Sequence, residues 1–231
     1  MSGVVWIDLL RQIAPARRII APDLPGHGQS EPWHDVSLDL YRDAVGTMCA
    51  HLKVARVVLI GHSLGGAVAL RCALSWPERI AGVVLVASAA RLDVPEELLR
   101  LLRDELPAGD ATQVETMPAA LGDLVFSAAT HRDLRARWQA VVMQAQRKVV
   151  LDDFALCRGL DLRGQMDKLH VPTLLLGGAD DLLVSTEQLA ETQRAIAGAE
   201  LELISGAGHM VMLEQPAAFT ARLKQFLATI P

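Results

Sequence analysis

An α/β fold with a mainly parallel sheet and helices on both faces is predicted by three observations. Short β-rich apolar runs recur at Arg18 to Ala21, Ala55 to Ile60, Gly82 to Val86 and Thr173 to Leu176. They lack a clean two-residue alternation, as strands covered on both faces do. Helical patterns lie between them, and strands alternating with helices call for parallel pairing.

Each element has its own signal. After the first run, Tyr41, Val45, Met48 and Leu52 share one face of a predicted helix. The second run leads through Gly61-His62-Ser63-Leu64-Gly65 into a small-residue helix from Leu64 to Trp76, which Pro77 stops. Ser185 and Gln188 have the spacing of a capping box opening a helix through Ile196. Leu201 to Ile204 reads as a strand, and Pro216 opens a last helix with Phe219, Leu223 and Phe226 inward. Between about Arg91 and Leu169 the rhythm breaks. Leucines and Trp138 at helical spacing, punctuated by Pro95, Pro107, Gly109 and Pro118, give several helices and no convincing strand. The chain thus divides into a core of residues 1–90 and 170–231 and a helical insertion of residues 91–169.

Composition narrows the function. The 231 residues are 51% hydrophobic with a mean hydropathy of +0.27, enough to bury a large core. A net charge of -5 and the lack of a basic cluster exclude nucleic acid as the expected partner. Cys49, Cys72 and Cys157 have neither disulfide nor zinc spacing, so a reducing, cytoplasmic setting is expected. No apolar run reaches the length of a membrane span, so no membrane partner is expected. The sequence calls for no cofactor and no metal, and it fits a monomer or a homodimer acting on a small molecule.

The chemistry is concentrated at Ser63. A Gly-x-Ser-x-Gly turn between a buried strand and a helix holds the serine in strained backbone, with Gly61 and Gly65 flanking it to avoid clashes. The hydroxyl then stands clear of the sheet, and the N–H of Leu64 points to where an attacked carbonyl would gather negative charge. Such a serine needs a base, and the base needs a carboxylate. Of seven histidines, His209 follows the strand ending at Ile204 in a glycine-rich loop, at the same end of the sheet as Ser63. His62 is expected to point away from Ser63; His27 is expected to pack in its loop, the alternative being that it approaches the site. Asp180 or Asp181 leaves the run Thr173 to Leu176 at its C-terminal end, whereas the loop after Val86 has no carboxylate.

Four motifs in this order resemble the α/β-hydrolase superfamily over nearly the whole chain. They are Ala21-Pro22-Asp23-Leu24-Pro25-Gly26-His27-Gly28-Gln29-Ser30, the Ser63 turn, Pro172 to Asp181, and Gly206-Ala207-Gly208-His209. The resemblance implies an α/β-hydrolase fold with a helical cap, and a triad of Ser63, Asp181 and His209 in the chain order Ser, Asp, His. In the family's pattern the second aspartate is usually the catalytic one, which favours Asp181.

One part of the family pattern is missing. Relatives carry a strand between those corresponding to Arg18–Ala21 and Ala55–Ile60, and its His-Gly loop supplies the second oxyanion donor. Met1-Ser2-Gly3-Val4-Val5-Trp6 resembles the sequence just after that loop, so the core is expected to be N-terminally incomplete and part of a longer chain. The alternative is that the two flanking strands close up and pair.

The expected activity is hydrolysis of a small, hydrophobic ester, thioester or lactone through an acyl-enzyme. Met210, Met212 and Trp138 are candidate substrate contacts, with Met117, Phe126 and Met143 as further apolar lining. The alternative is a non-catalytic or inactive α/β-hydrolase-like protein; among enzymes, carbon–carbon bond hydrolases, haloperoxidases and acyl transferases share these motifs.

Overall fold

A computed structural model describes residues 3–13, 17–33, 35–110, 114, 118–139 and 145–230. Four parallel strands form one sheet in the order β1 (Val57–His62), β2 (Ile80–Val86), β3 (Thr173–Gly178) and β4 (Glu200–Ile204). Consecutive strands are neighbours, and each crossover carries helix. Before β1 come α1 (Ile7–Ile13) and α2 (Leu38–His51), and α3 (Leu64–Ser75) links β1 to β2. Between β2 and β3 lie α4 (Glu96–Glu105), α5 (Ala119–Val125), α6 (Arg132–Gln139) and α7 (Arg147–Arg158). After β3 come α8 (Thr186–Ala195), then α9 (Val211–Glu214) and α10 (Pro216–Ala228) beyond β4.

Strand periodicity builds the core. Every residue of β2 is buried. Val84 and Val86 join Leu174 and Leu176 of β3 in one apolar cluster with Phe219, Leu223 and Phe226 of α10. The alternate residues Val83, Leu85 and Leu175 join a second cluster with Val68, Leu70 and Cys72 of α3. Helices therefore cover both faces of the sheet. All three cysteines are buried free thiols, and burial pushes those of Cys72 and Cys157 up to about 12.

Local signals hold where they were strong. Ser185 Oγ accepts from Gln188 N at 3.2 Å and Gln188 Oε1 accepts from Ser185 N at 2.9 Å, completing the capping box. Arg17, reaching across from before β1, donates from Nη2 to the carbonyls of Leu227 and Ile230 at 2.7 and 2.8 Å. It thereby adds a charged donor at the C-terminal end of α10. No helix among the described residues is long and apolar enough to cross a membrane.

The expected strand at Arg18 to Ala21 does not form. These residues lie in no strand, and among the described residues no strand pairs with the outer edge of β1. The two flanks have not closed up. A cavity separates them, lined by Ile19, Ile20 and Ala21 on one side and Val57, Val58, Leu59 and Ile60 on the other. Without a neighbour, an extended segment has no ladder to join.

Candidate active site

The turn from β1 into α3 sets the geometry at Ser63. Its φ of 53° and ψ of -122° lie in the left-handed half of backbone space, where a side chain is strained. Its N–H is bonded to the Val86 carbonyl of β2 at 2.9 Å, which fixes the turn against the sheet. A Cβ at Gly61 would sit 2.1 Å from the Gly65 carbonyl oxygen, so only glycine fits there. The expected second clash is displaced by one residue. A Cβ at Gly65 would meet nothing within 4 Å, whereas one at Gly66 would lie 2.3 Å from Ser88 Oγ. Leu64 is the first residue of α3, so its N–H has no partner within the helix and the positive end of the helix dipole lies beside Ser63.

Asp181 and His209 meet at the C-terminal ends of β3 and β4. His209 Nδ1 lies 2.9 Å from Asp181 Oδ2, and both residues are buried. The second carboxylate oxygen, Oδ1, accepts from Leu183 N at 2.8 Å and Val184 N at 3.0 Å. Burial works to raise the Asp181 carboxyl, but the charge of His209 and these hydrogen bonds outweigh it and hold the group below the usual carboxylate range. Asp180 turns elsewhere, its Oδ2 accepting from Ser127 Oγ at 2.7 Å. Close packing aligns the two loops: a Cβ at Gly178 would lie 2.2 Å from the Gly208 carbonyl oxygen.

Two contributors escaped the sequence reading. His62 holds the base: its Nε2 lies 2.8 Å from the His209 carbonyl oxygen and the two rings are 4.7 Å apart. A carbonyl only accepts, so Nε2 carries the proton and the ring is fixed in one tautomer. Burial first, then the nearby His209 charge, push His62 down to about 3. Glu214 is the other. Its Oε2 accepts from Gly208 N at 2.8 Å, while Oε1 accepts from Ser127 N at 2.8 Å and Thr130 Oγ1 at 2.5 Å. Met210 N adds a bond to the Val125 carbonyl at 3.3 Å. A lone acid in the apolar run Met210-Val211-Met212-Leu213-Glu214 was the available signal for Glu214; nothing in sequence distinguished His62.

The cavity that separates the two flanks, about 680 Å³ in all, extends to this site, where Ser63, Leu64, Gly65, His209, Met210 and Trp138 line it. Trp138 packs edge-on against Phe126 at 5.0 Å, which places Phe126 behind it and not on the cavity wall. Met212 is likewise buried in the core cluster and does not line the cavity, because the first turn of α9 directs it inward. Met117 and Met143 lie outside the described residues. His27 also lines the cavity, its Nε2 3.0 Å from Asp153 Oδ2 of α7. Tyr41 donates to the other oxygen of Asp153 at 2.6 Å. Among the described residues no group of His, Cys, Asp and Glu could hold a metal ion.

The model of the alpha/beta hydrolase fold matches residues 1–216, and the chain belongs to that family. It is a hydrolase, with esterase-like relatives. A pimeloyl-[acyl-carrier protein] methyl ester esterase from Photobacterium profundum is 28% identical over 98% of this chain and 91% of its own length. A hydrolase from Pseudomonas aeruginosa, of known structure, is 28% identical with a TM-score of 0.86, matching 98% of this chain and 85% of that one. An enol-lactonase from Burkholderia xenovorans is 25% identical with a TM-score of 0.84, over 98% of this chain and 87% of that one.

Proposed function

We propose that the chain hydrolyses a small carboxylic ester, thioester or lactone with a hydrophobic acyl or alcohol group, using Ser63 as nucleophile, His209 as base and Asp181 as its orienting acid. The observation that carries this reading is the buried Asp181–His209 hydrogen bond beside a strained serine on a strand-to-helix turn. Asp181 occupies Nδ1, leaving Nε2 to take the Ser63 proton as Oγ attacks the carbonyl carbon. The Leu64 N–H stabilises the oxyanion. As the tetrahedral intermediate collapses, the leaving alcohol, thiol or ring oxygen takes that proton from His209. Water, deprotonated by the same nitrogen, then attacks the acyl-enzyme and frees the acid and Ser63.

The apolar wall around Trp138 and Met210 supports a hydrophobic substrate. Similarity to a methyl ester esterase and an enol-lactonase supports acyl chemistry at an ester or lactone carbonyl. A fluorophosphonate probe tests the assembly. Wild type should label at Ser63, His209→Ala should label far more slowly, and Ser63→Ala should not label. Equal labelling of Ser63→Ala would overturn the assignment, and an inert wild type would favour the non-catalytic alternative.

A further inference from the structure

The loop that carries His209 is rich in glycine. Gly206 takes a φ of 68° and Gly208 directly precedes the histidine, so the backbone has a freedom that a base cannot keep if it is to meet a serine hydroxyl. Hydrogen bonds remove that freedom. Asp180 N donates to the Ala207 carbonyl at 2.9 Å, His62 Nε2 to that of His209 at 2.8 Å, and Met210 N to that of Val125 at 3.3 Å. The bond from Gly208 N to Glu214 Oε2, at 2.8 Å, differs in kind because its acceptor is a carboxylate. Such a bond is roughly twice as strong as one between neutral groups.

Glu214 is itself held from the other side. Its Oε1 accepts from Ser127 N at 2.8 Å and Thr130 Oγ1 at 2.5 Å, and the Ser127 carbonyl in turn accepts from Arg135 Nη2 at 2.8 Å. Ser127 and Gly208 lie against each other: a Cβ at Gly208 would sit 2.6 Å from Ser127 N. Two main-chain donors that belong to no helix or strand thus converge on one place. A carboxylate fits there because both of its oxygens accept. An amide does not, since its NH2 would face one of the N–H groups. A side chain present for packing alone would not need two accepting ends.

We infer that Glu214 is a positioning residue of the hydrolytic site: its carboxylate ties the His209 loop to the segment between α5 and α6 and holds the imidazole where Nε2 can take the Ser63 proton. The kinetic consequence rests on the proposed roles of Ser63, Asp181 and His209, whereas a second consequence, in the loop itself, needs no turnover. Glu214→Gln keeps the shape and leaves one donor unmatched. It should lower kcat, counted per titrated active site, by about 10- to 100-fold with KM near the wild-type value. The fluorophosphonate should label Ser63 more slowly as well. Thr130→Val, which removes one donor to Oε1, should cost less in the same direction and serves as the test if the glutamine variant does not fold.

Nuclear magnetic resonance reads the loop without substrate. In the wild type the Gly208 amide should exchange slowly, and the His209 Nδ1 proton bonded to Asp181 should give a sharp low-field signal. In Glu214→Gln the exchange should quicken and the signal broaden. The inference falls if both variants lower Tm but keep the wild-type kcat per active site. It also falls if the Gly208 amide and the His209 signal are unchanged in Glu214→Gln. An inert wild type would overturn the roles of Ser63, Asp181 and His209 instead, and the two signals would still decide for or against Glu214.

Discussion

The two sides of β1 are built to different standards. On the inner side the strand is bonded to β2 in register from Val58 to His62, and β2 is buried throughout. On the outer side the same residues face a cavity. The proposed site draws its precision from the inner side alone. Ser63 is pinned to Val86 of β2, Asp181 follows β3 and His209 follows β4. The outer side contributes space, and space tolerates change where a hydrogen-bonded constellation does not.

The strongest way to break this comparison is to attack the inner side. Asp181→Asn should lower kcat by about 10⁴-fold by leaving His209 in the wrong tautomer. Asp180→Asn, one residue away but with its carboxylate bonded to Ser127 Oγ, should leave turnover within a few-fold. Steady-state kinetics on both variants decide between them, and comparable losses would show that the constellation is misassigned. Stability should follow the same division. Leu85→Ala, at a fully buried position of β2, should cost about 2–5 kcal/mol in urea unfolding. Ile20→Ala, on the outer flank and 38% exposed, should cost less than about 1 kcal/mol. Similar costs would mean that the outer flank is packed as well as the core.

A smaller effect is expected from His62. Unfolded, it binds a proton near pH 6.5; folded, only near about 3. Between those values the unfolded state holds more protons, so stability is complete above pH 6.5 and falls with acid by up to about 1.4 kcal/mol per pH unit. Asp181 adds to the loss only at lower pH, as its depressed carboxyl protonates. His62→Gln, which keeps an N–H donor for the His209 carbonyl but does not titrate, should flatten the upper part of that slope. An unchanged slope in urea unfolding between pH 6.5 and 4 would remove His62 from the account.

The sequence was most legible where one residue type has one physical use. The strands β2 and β3 stood out because burial on both faces forces continuous apolar runs. Ser185 and Gln188 announced a helix start because few other pairs can satisfy its open N–H groups. Arg18 to Ala21 misled for a related reason: its composition suits a strand, but pairing depends on a neighbour that local composition cannot supply. At the site, Ser63 and His209 could be placed from their loops, whereas His62 and Glu214 could not. Their partners are backbone groups of residues 147 and 87 positions away, Ser127 in the second case. Met212 failed because position in the His209 loop does not determine the direction of a side chain on a short helix.

Glu214 gathers three donors from two parts of the chain: Gly208, immediately before His209, and Ser127 and Thr130 between α5 and α6. One carboxylate thus serves as a shared rivet. The stretch 125–130 cannot lift from the sheet without either breaking charge-assisted bonds at Glu214 or pulling on the loop that holds His209. Entry past this end of the helical segment and disturbance of the histidine are therefore mechanically one event.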